Sequence, residues 1–324
     1  MSAQAGAVGL GGTAGASSGT AGNPGAAGTG PASAGSSGDA GANAQAGAGG
    51  AADALSFRIT TSNIRFASED DGVNVWPARK ALLFQVLEAQ AFDSAGLQEA
   101  LAAQLADFAT EMPEYGQIGV GRNDGKTKGE YASILYSKER LAVASSGTFW
   151  FSDTPEVPGS KSWGNDLPRI CTWARLQDLE TGRHYWHYNV HLDSDSQPSR
   201  EKSVVLLAQR MAARAEPTEP VILTGDFNAE PNNLAVTHLL DQQLIEGAKA
   251  PFALQDAWIL LHPGDPESRT SHKFKGGATG GGHIDYIMFG TGVTATSAEI
   301  TRTHEGDVYP SDHYPVSATL ELVP

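Results

Sequence analysis

The run Val221-Ile222-Leu223-Thr224-Gly225-Asp226-Phe227-Asn228-Ala229-Glu230-Pro231 constrains this chain more than any other stretch of it. Its first four residues, apolar or β-branched in succession, read as a short buried strand, and Gly225 lets the backbone leave that strand sharply before the polar residues arrive. Asp226 and Asn228 then stand at a strand end. A carboxylate and a carboxamide so placed offer an acceptor for a water or a metal and a donor for an oxyanion, which are the two requirements of phosphate ester hydrolysis. Taken alone, a G-D-x-N stretch is more often an Asx-rich turn that satisfies its own backbone. The chemistry gains weight only if other strand ends supply partners.

Not all of the chain can contribute such strands. Residues 1 to 54 are almost wholly Gly, Ala, Ser and Thr, and Asp39 and Asp53 are their only charged side chains. A segment of that composition cannot bury enough apolar area to offset chain entropy, so it reads as a disordered tether, and residues 55 to 324, long enough for one large domain or two small ones, show no second break in composition and are taken as one domain. A tether of this kind suits a domain that is secreted or held off a cell envelope, although no signal peptide is visible behind Met1. No run approaches a membrane span, and the lone Cys171 excludes an intrachain disulfide. Formal charge is 22 − 37 = −15, of which the domain carries −15 + 2 = −13. Such a surface repels polyanions at long range, so nucleic acid stays open as a partner but is disfavoured, and a monomer acting on a small phosphoester is expected.

Read in order, Phe57 to Ser62 alternates as a strand that delivers Asn63, and Ala78 to Gln90 has helical spacing. Ser94 to Leu97 is a second strand, ending at Gln98-Glu99, and Leu101 to Glu111 a second helix. Strands follow at Ala132 to Tyr136 and Leu141 to Phe151. The longest hairpin candidate pairs Arg169 to Leu179 with Arg183 to Leu192. On its returning strand Tyr185, His187, Asn189 and His191 share one face, dressed for chemistry, while Trp186, Tyr188, Val190 and Leu192 share the other, dressed for packing. Ser199 to Arg214 is a helix just before Val221, and beyond it come a helix at Leu234 to Leu240, a loop-rich stretch from Leu261 to Gly282, and strands at His283 to Phe289 and Val316 to Leu322. Many strands with a few helices predict an α/β sandwich of two packed sheets flanked by helices.

The polar residues at these strand ends are Asn63, Glu99, Asn189, His191, Asp226, Asn228, Asp285, Asp312 and His313. Magnesium favours a few oxygen ligands, which Asn63, Glu99 and Asp312 can supply. Asp285 and His313 read as a carboxylate that orients an imidazole. Each has a plainer alternative: Glu99 can cap the helix that follows it, Asp312-His313 can be a turn, and His187 is a packed or an exposed strand residue sooner than a ligand. His184, His238, His262, His272 and His304 are read as surface residues.

Six segments in order are harder to dismiss together. Thr61-Ser62-Asn63-Ile64-Arg65, Leu97-Gln98-Glu99, Tyr188-Asn189-Val190-His191-Leu192-Asp193, Gly225-Asp226-Phe227-Asn228-Ala229, His283-Ile284-Asp285-Tyr286-Ile287 and Ser311-Asp312-His313-Tyr314-Pro315 resemble the successive motifs of the endonuclease/exonuclease/phosphatase superfamily. The resemblance covers about residues 57 to 322. It implies a four-layer α/β sandwich of two packed mixed sheets flanked by helices, and a Mg2+-dependent phosphoesterase in which Mn2+ can substitute. Carried over residue by residue, Glu99 would bind the metal with Asn63 nearby and Asp312 as a further contact. Asp226 would orient or deprotonate the attacking water, and Asn228 would hold a phosphate oxygen. His313, oriented by Asp285, would stabilise the phosphoryl group or move a proton, and His191 would contact the phosphate. The base stays open between Asp226 and His313.

The segments Thr148 to Pro155 and Pro168 to Ala174 are similar to a bacterial group of metal-dependent hydrolases within that superfamily. They make Arg169 a candidate phosphate clamp, or else half of a surface ion pair, and Asn189 joins it as a substrate-binding candidate. The chain departs from the pattern after Asp193, where Ser194-Asp195-Ser196 stands in place of a His-x-Gly continuation. A calcineurin-like dimetal reading fails for want of a G-N-H motif and an Asp at position 229. An endonuclease on the same centre, and a non-catalytic binding module on the same fold, are the remaining alternatives.

Overall fold

The computed structural model describes residues 55–323, so the expected tether lies outside the described residues. In chain order the elements are β1 (Leu55–Asn63), α1 (Trp76–Gln90), β2 (Ser94–Ala100), α2 (Ala102–Glu111), β3 (Tyr115–Ile118), β4 (Tyr131–Ser137), β5 (Leu141–Trp150), β6 (Ile170–Asp178), β7 (His184–His191), α3 (Gln197–Ala212), β8 (Val221–Asp226), α4 (Leu234–Leu239), β9 (Gln255–Asp256), α5 (Ala257–Leu261), β10 (Asp285–Phe289), β11 (Val293–Ile300) and β12 (Val316–Leu322). Two six-stranded sheets result, ordered β11-β12-β1-β2-β4-β3 and β5-β6-β7-β8-β10-β9. Both are mixed: β1 runs parallel to β2 and antiparallel to β12, and β7 runs parallel to β8.

The alternation of side chains along each strand sorts them into three buried layers. Phe57, Ile59, Tyr185, Ile222, Ile287 and Leu320 fill the space between the sheets. Trp186, Tyr188, Leu223 and Met288 face outward onto Val204, Leu207 and Met211 of α3. On the far side Leu97 and Leu135 pack beneath Leu83, Leu87 and Phe108 of α1 and α2. The expected four-layer sandwich is therefore the observed one, and β8 is buried along its whole length because it has a layer on each face.

The two faces of β7 do not divide as the sequence suggests. His187 and Asn189 point into the space between the sheets, and both are fully buried. His187 lies 3.0 Å from Ser94 Oγ and 2.9 Å from Thr224 Oγ1, and burial pulls its imidazole down to about 3. Asn189 donates to the carbonyls of Leu97 and Ser133 at 2.9 Å each and accepts from Gln98 Nε2 at 2.7 Å. The sheets approach this closely because position 96 is glycine: a Cβ there would fall 2.3 Å from Asn189 Oδ1. Two further histidines depart from expectation. His238 and His272 are buried, not surface residues; His272 stacks on Tyr314 at 4.0 Å and accepts a hydrogen bond from Gly276 N.

Candidate active site

Register brings the site together before any side chain is considered. In the second sheet His191 of β7 is paired with Asp226 of β8, and Asp226 in turn with Asp285 of β10, so the three stand side by side at one sheet end. In the first sheet β1 ends on Asn63, opposite Gln98, one residue short of Glu99. Glu99 has φ 62°, a left-handed conformation that costs a non-glycine residue about 1–2 kcal/mol. That kink interrupts the β2–β4 register and turns the carboxylate back toward the second sheet. It does not cap α2: Glu99 Oε1 accepts from Asn63 Nδ2 at 3.0 Å and Oε2 from Phe66 N at 3.1 Å, while Gln104 serves the helix start.

Asp226 is where the two sheets meet chemically. Its Oδ2 accepts from Asn63 Nδ2 at 2.9 Å and lies 3.7 Å from His191 Nε2 and 3.9 Å from His313 Nε2, while its Oδ1 accepts from Asn228 N at 2.8 Å. Burial, reinforced by the Asp285 charge, pushes its carboxyl up to about 7. His313 Nδ1 is 2.8 Å from Asp285 Oδ2. Burial opposes the charge on His313, but the Asp285 carboxylate prevails and holds the imidazole well above its ordinary value, which favours the charged ring. His191 is held well below its ordinary value by burial and by the neighbouring Arg169 and Arg122. The neutral tautomer of His191 follows from Asn228. Leu192 O can only accept, so it fixes Asn228 Nδ2 as the donor at 3.0 Å; the same nitrogen donates to His191 Nε2 at 3.1 Å. His191 therefore carries its proton on Nδ1, toward Glu130 Oε2 at 3.8 Å.

Oxygen and nitrogen atoms of Glu99, His191 and Asp226 lie within 4.8 Å of one another, as do those of Asp226, Asp285 and His313. Asp312 stands outside both groups; its carboxyl is raised by burial and by the field of Glu99. Arg169 is buried beside His191 and paired with Asp193 at 3.3 Å, so its partner is an interior carboxylate and not a surface one. Asn189, considered for substrate, lies beneath the site with both amide hydrogens on backbone carbonyls. Asn228, expected at a phosphate oxygen, has both amide hydrogens directed at His191 and Leu192.

Sequence reasoning missed three residues at this centre. Arg122 makes a two-pronged pair with Glu130 at 2.7 and 2.8 Å, and the pair lines a narrow gap with Arg169 and His191. Arg79 is fully buried and donates to the carbonyls of Ile64, Arg65 and Pro310, which adjoin Asn63 on one side and Ser311-Asp312-His313 on the other. Arg122 and Glu130 flank a turn that carries no strand or helix pattern, and a charged residue on a helix face gives no local sign that it is buried. Only contact across the fold could have found them.

Comparison with known proteins agrees with this geometry. The family model described as Endonuclease/Exonuclease/phosphatase family matches residues 60–313. The solved structure of an endonuclease/exonuclease/phosphatase from Bacteroides vulgatus is 32% identical, covers 83% of this chain and 99% of its own, and superposes with a TM-score of 0.75. A mannosyl-6-phosphatase from Bacteroides thetaiotaomicron is 28% identical over 82% of this chain and 99% of its own, with a TM-score of 0.72. An uncharacterized protein, L388, of Acanthamoeba polyphaga mimivirus is 30% identical over 172 residues, 51% of this chain and 63% of that protein. The fold and the site together define a hydrolase of phosphoric esters. The chain belongs to the endonuclease/exonuclease/phosphatase family.

Proposed function

We propose that the chain hydrolyses phosphoesters in a magnesium-dependent reaction, with manganese as a substitute, by in-line attack of water on phosphorus. The observation that carries this reading is Asp226, whose one carboxylate meets Asn63 and Glu99's partner set on one side and the His313–Asp285 pair on the other. The donors fit a hard cation. Glu99 and Asp226 bring carboxylate oxygens together in a buried place, Asn63 and Asp312 stand close by, and Asp285 Oδ1 is buried without a partner. Glu99, with Asn63 and Asp312 close by, would hold magnesium, which when bound would supply positive charge to the phosphate oxygens.

The side chains divide the remaining work by protonation. Asp226, with its raised carboxyl, orients the water and takes its proton. His313 has no free lone pair while Asp285 keeps it charged, so it donates to a phosphate oxygen as negative charge builds there. Asn228 fixes the tautomer of His191, and Arg169 contributes a buried guanidinium beside it.

Among phosphoesters, a phosphomonoester on a sugar is favoured by the likeness to the Bacteroides mannosyl-6-phosphatase, and the net charge of −15 weighs against a DNA or RNA endonuclease. A secreted or envelope-tethered setting belongs to the same reading and rests on the composition of residues 1 to 54 alone. The test is a panel of p-nitrophenyl phosphate, bis(p-nitrophenyl) phosphate, mannose 6-phosphate, plasmid DNA and RNA, each with Mg2+, Mn2+ or EDTA. Turnover is expected to vanish in EDTA and to fall about 10²–10³-fold in Glu99→Ala. A chain that turns over none of the panel with either ion is not the enzyme proposed, and binding without turnover would favour a non-catalytic module.

A further inference from the structure

A second concave site lies on the opposite face of the second sheet from Asp226. Along β7 the residues of odd number, His187, Asn189 and His191, face the other sheet, while Trp186 and Tyr188 face outward. Between these outward rings and α3 there is a cavity of about 540 Å³, within the range of small-molecule sites. The sheet itself separates it from the hydrolytic centre.

The floor of this cavity is aromatic and built. Trp173 lies 5.4 Å from Trp186, ring centre to ring centre, and Trp186 lies 6.2 Å from Tyr188 at an interplanar angle of 19°. Trp173 can lie flat over the neighbouring strand because the residue paired with it on β5 is Gly147, where a Cβ would come within 2.8 Å of the indole. Glycine inside a strand weakens it and marks a close approach of another group. Here that group is the Trp173 indole, which also lines the cavity.

Its polar groups are equally particular. Tyr188 is 2% exposed and lines the cavity, and its hydroxyl makes no hydrogen bond to another described residue and is not among the sealed, unpartnered atoms, so it opens onto the cavity. Buried tyrosines ordinarily find a partner. Arg210 and Arg214 also line the cavity, whose lining includes no carboxylate, on a chain whose net charge is −15. Arg210 sits over the Phe149 ring at 4.9 Å and pairs only with the exposed Glu156, a contact that an anion can displace. Arg214 is committed to the carbonyls of Met211, Pro217 and Glu219, with only its Nε buried without a partner.

We infer that this cavity is a ligand site in its own right, taking a small molecule that combines a flat aromatic ring system with an anionic group. The rings stack on Trp173, the anionic group meets Arg210, and the Tyr188 hydroxyl, open to the cavity, can hydrogen-bond the ligand. The inference does not rest on the proposed hydrolytic activity.

Titration of the full chain with 8-anilinonaphthalene-1-sulfonate, followed by energy transfer from tryptophan, tests it. Saturable binding is expected, weakened about tenfold by Trp173→Ala and several-fold by Arg210→Gln. N-phenyl-1-naphthylamine, which has the same rings without the sulfonate, should bind more weakly and be indifferent to Arg210→Gln. Trp173→Phe keeps a ring in place and should retain most of the affinity, which guards the test if the alanine variant fails to fold. Binding that never saturates, affinity unchanged in both Trp173 variants and in Arg210→Gln, or equal affinity for the charged and neutral probes would overturn the inference.

Discussion

Two buried carboxylates show what surroundings do to the same side chain. Asp226 is raised to about 7, yet it is hydrogen-bonded on both oxygens and sits among groups that can exchange a proton with it. Asp256, at the start of α5, is raised to about 6 by burial alone. Its Oδ1 caps the helix by accepting from Ile259 N at 2.8 Å, while its Oδ2 is buried without a partner. The folded chain therefore holds the Asp256 proton more tightly than the unfolded chain, whose carboxyl keeps the ordinary value of 3.8. Stability from this group is full below pH 3.8 and is lost as pH climbs to about 6. Asp256→Asn keeps the cap and removes the charge, so it should stabilise the protein by about 1–3 kcal/mol at pH 7.5 and by much less at pH 4.5. Urea unfolding at both pH values measures this; a variant whose stability runs parallel to the parent's would show that Asp256 does not titrate in that window. The catalytic candidates were legible as residues because each lies at or beside a strand end with its own pattern: Asn63, His191 and Asp226 close strands, Glu99 stands one residue short of a strand's end, Asp285 opens one, and Asp312 and His313 precede one. Their hydrogen bonds were not, and so Asn189 and Asn228 were expected at a substrate when their amides are committed within the protein.

At the scale of elements, α1 does more than cover a sheet. Its Arg79 donates to Asn74 O, Ile64 O, Pro310 O and Arg65 O at 2.7–2.8 Å, which ties the loop after β1 to the loop before β12. Burial lowers the guanidinium to about 10, so it keeps its charge at neutral pH. Arg79→Met fills much of the space but abandons those carbonyls, and should cost about 2–5 kcal/mol of stability with a fall in hydrolysis at temperatures where the variant is still folded. Thermal melting and steady-state rates, measured together, decide it; unchanged rates would show that the two loops hold Asn63 and His313 in place without Arg79. β12 was readable to the residue, whereas β8 runs two residues past the expected Thr224, with Gly225 and Asp226 still paired in the sheet. The elements missed were β3, β9, β11 and the short α5. β11 carries Thr, Ser and Glu on an edge with a bulge between Ala295 and Ser297, and β3 is a short edge strand with Gly116 inside it. Edge strands pair on one side only, so their sequences are under weaker demand for alternation.

For the whole molecule the dominant fact is acidity. A net charge of −15 opposes the approach of any anionic substrate, and salt screens that opposition. Catalytic efficiency toward a phosphoester should rise roughly two- to threefold between about 20 and 200 mM sodium chloride. Steady-state kinetics across that range would give the opposite slope if a local positive funnel governed encounter. The sequence by itself determined the strand ends and their chemistry: Asn63, Glu99, Asp226, Asp285 and His313 could be picked out because turn signals and hydrophobic period act over a few residues. Only the tertiary structure decided which ends meet. Inserting β1 between β12 and β2, and β8 between β7 and β10, joins segments up to 267 positions apart, as in the pairing of Leu55 with Leu322. It also sends Arg122, Glu130 and Arg79 to the site and Asn189 beneath it, because no local window of residues encodes pairing across so long a loop.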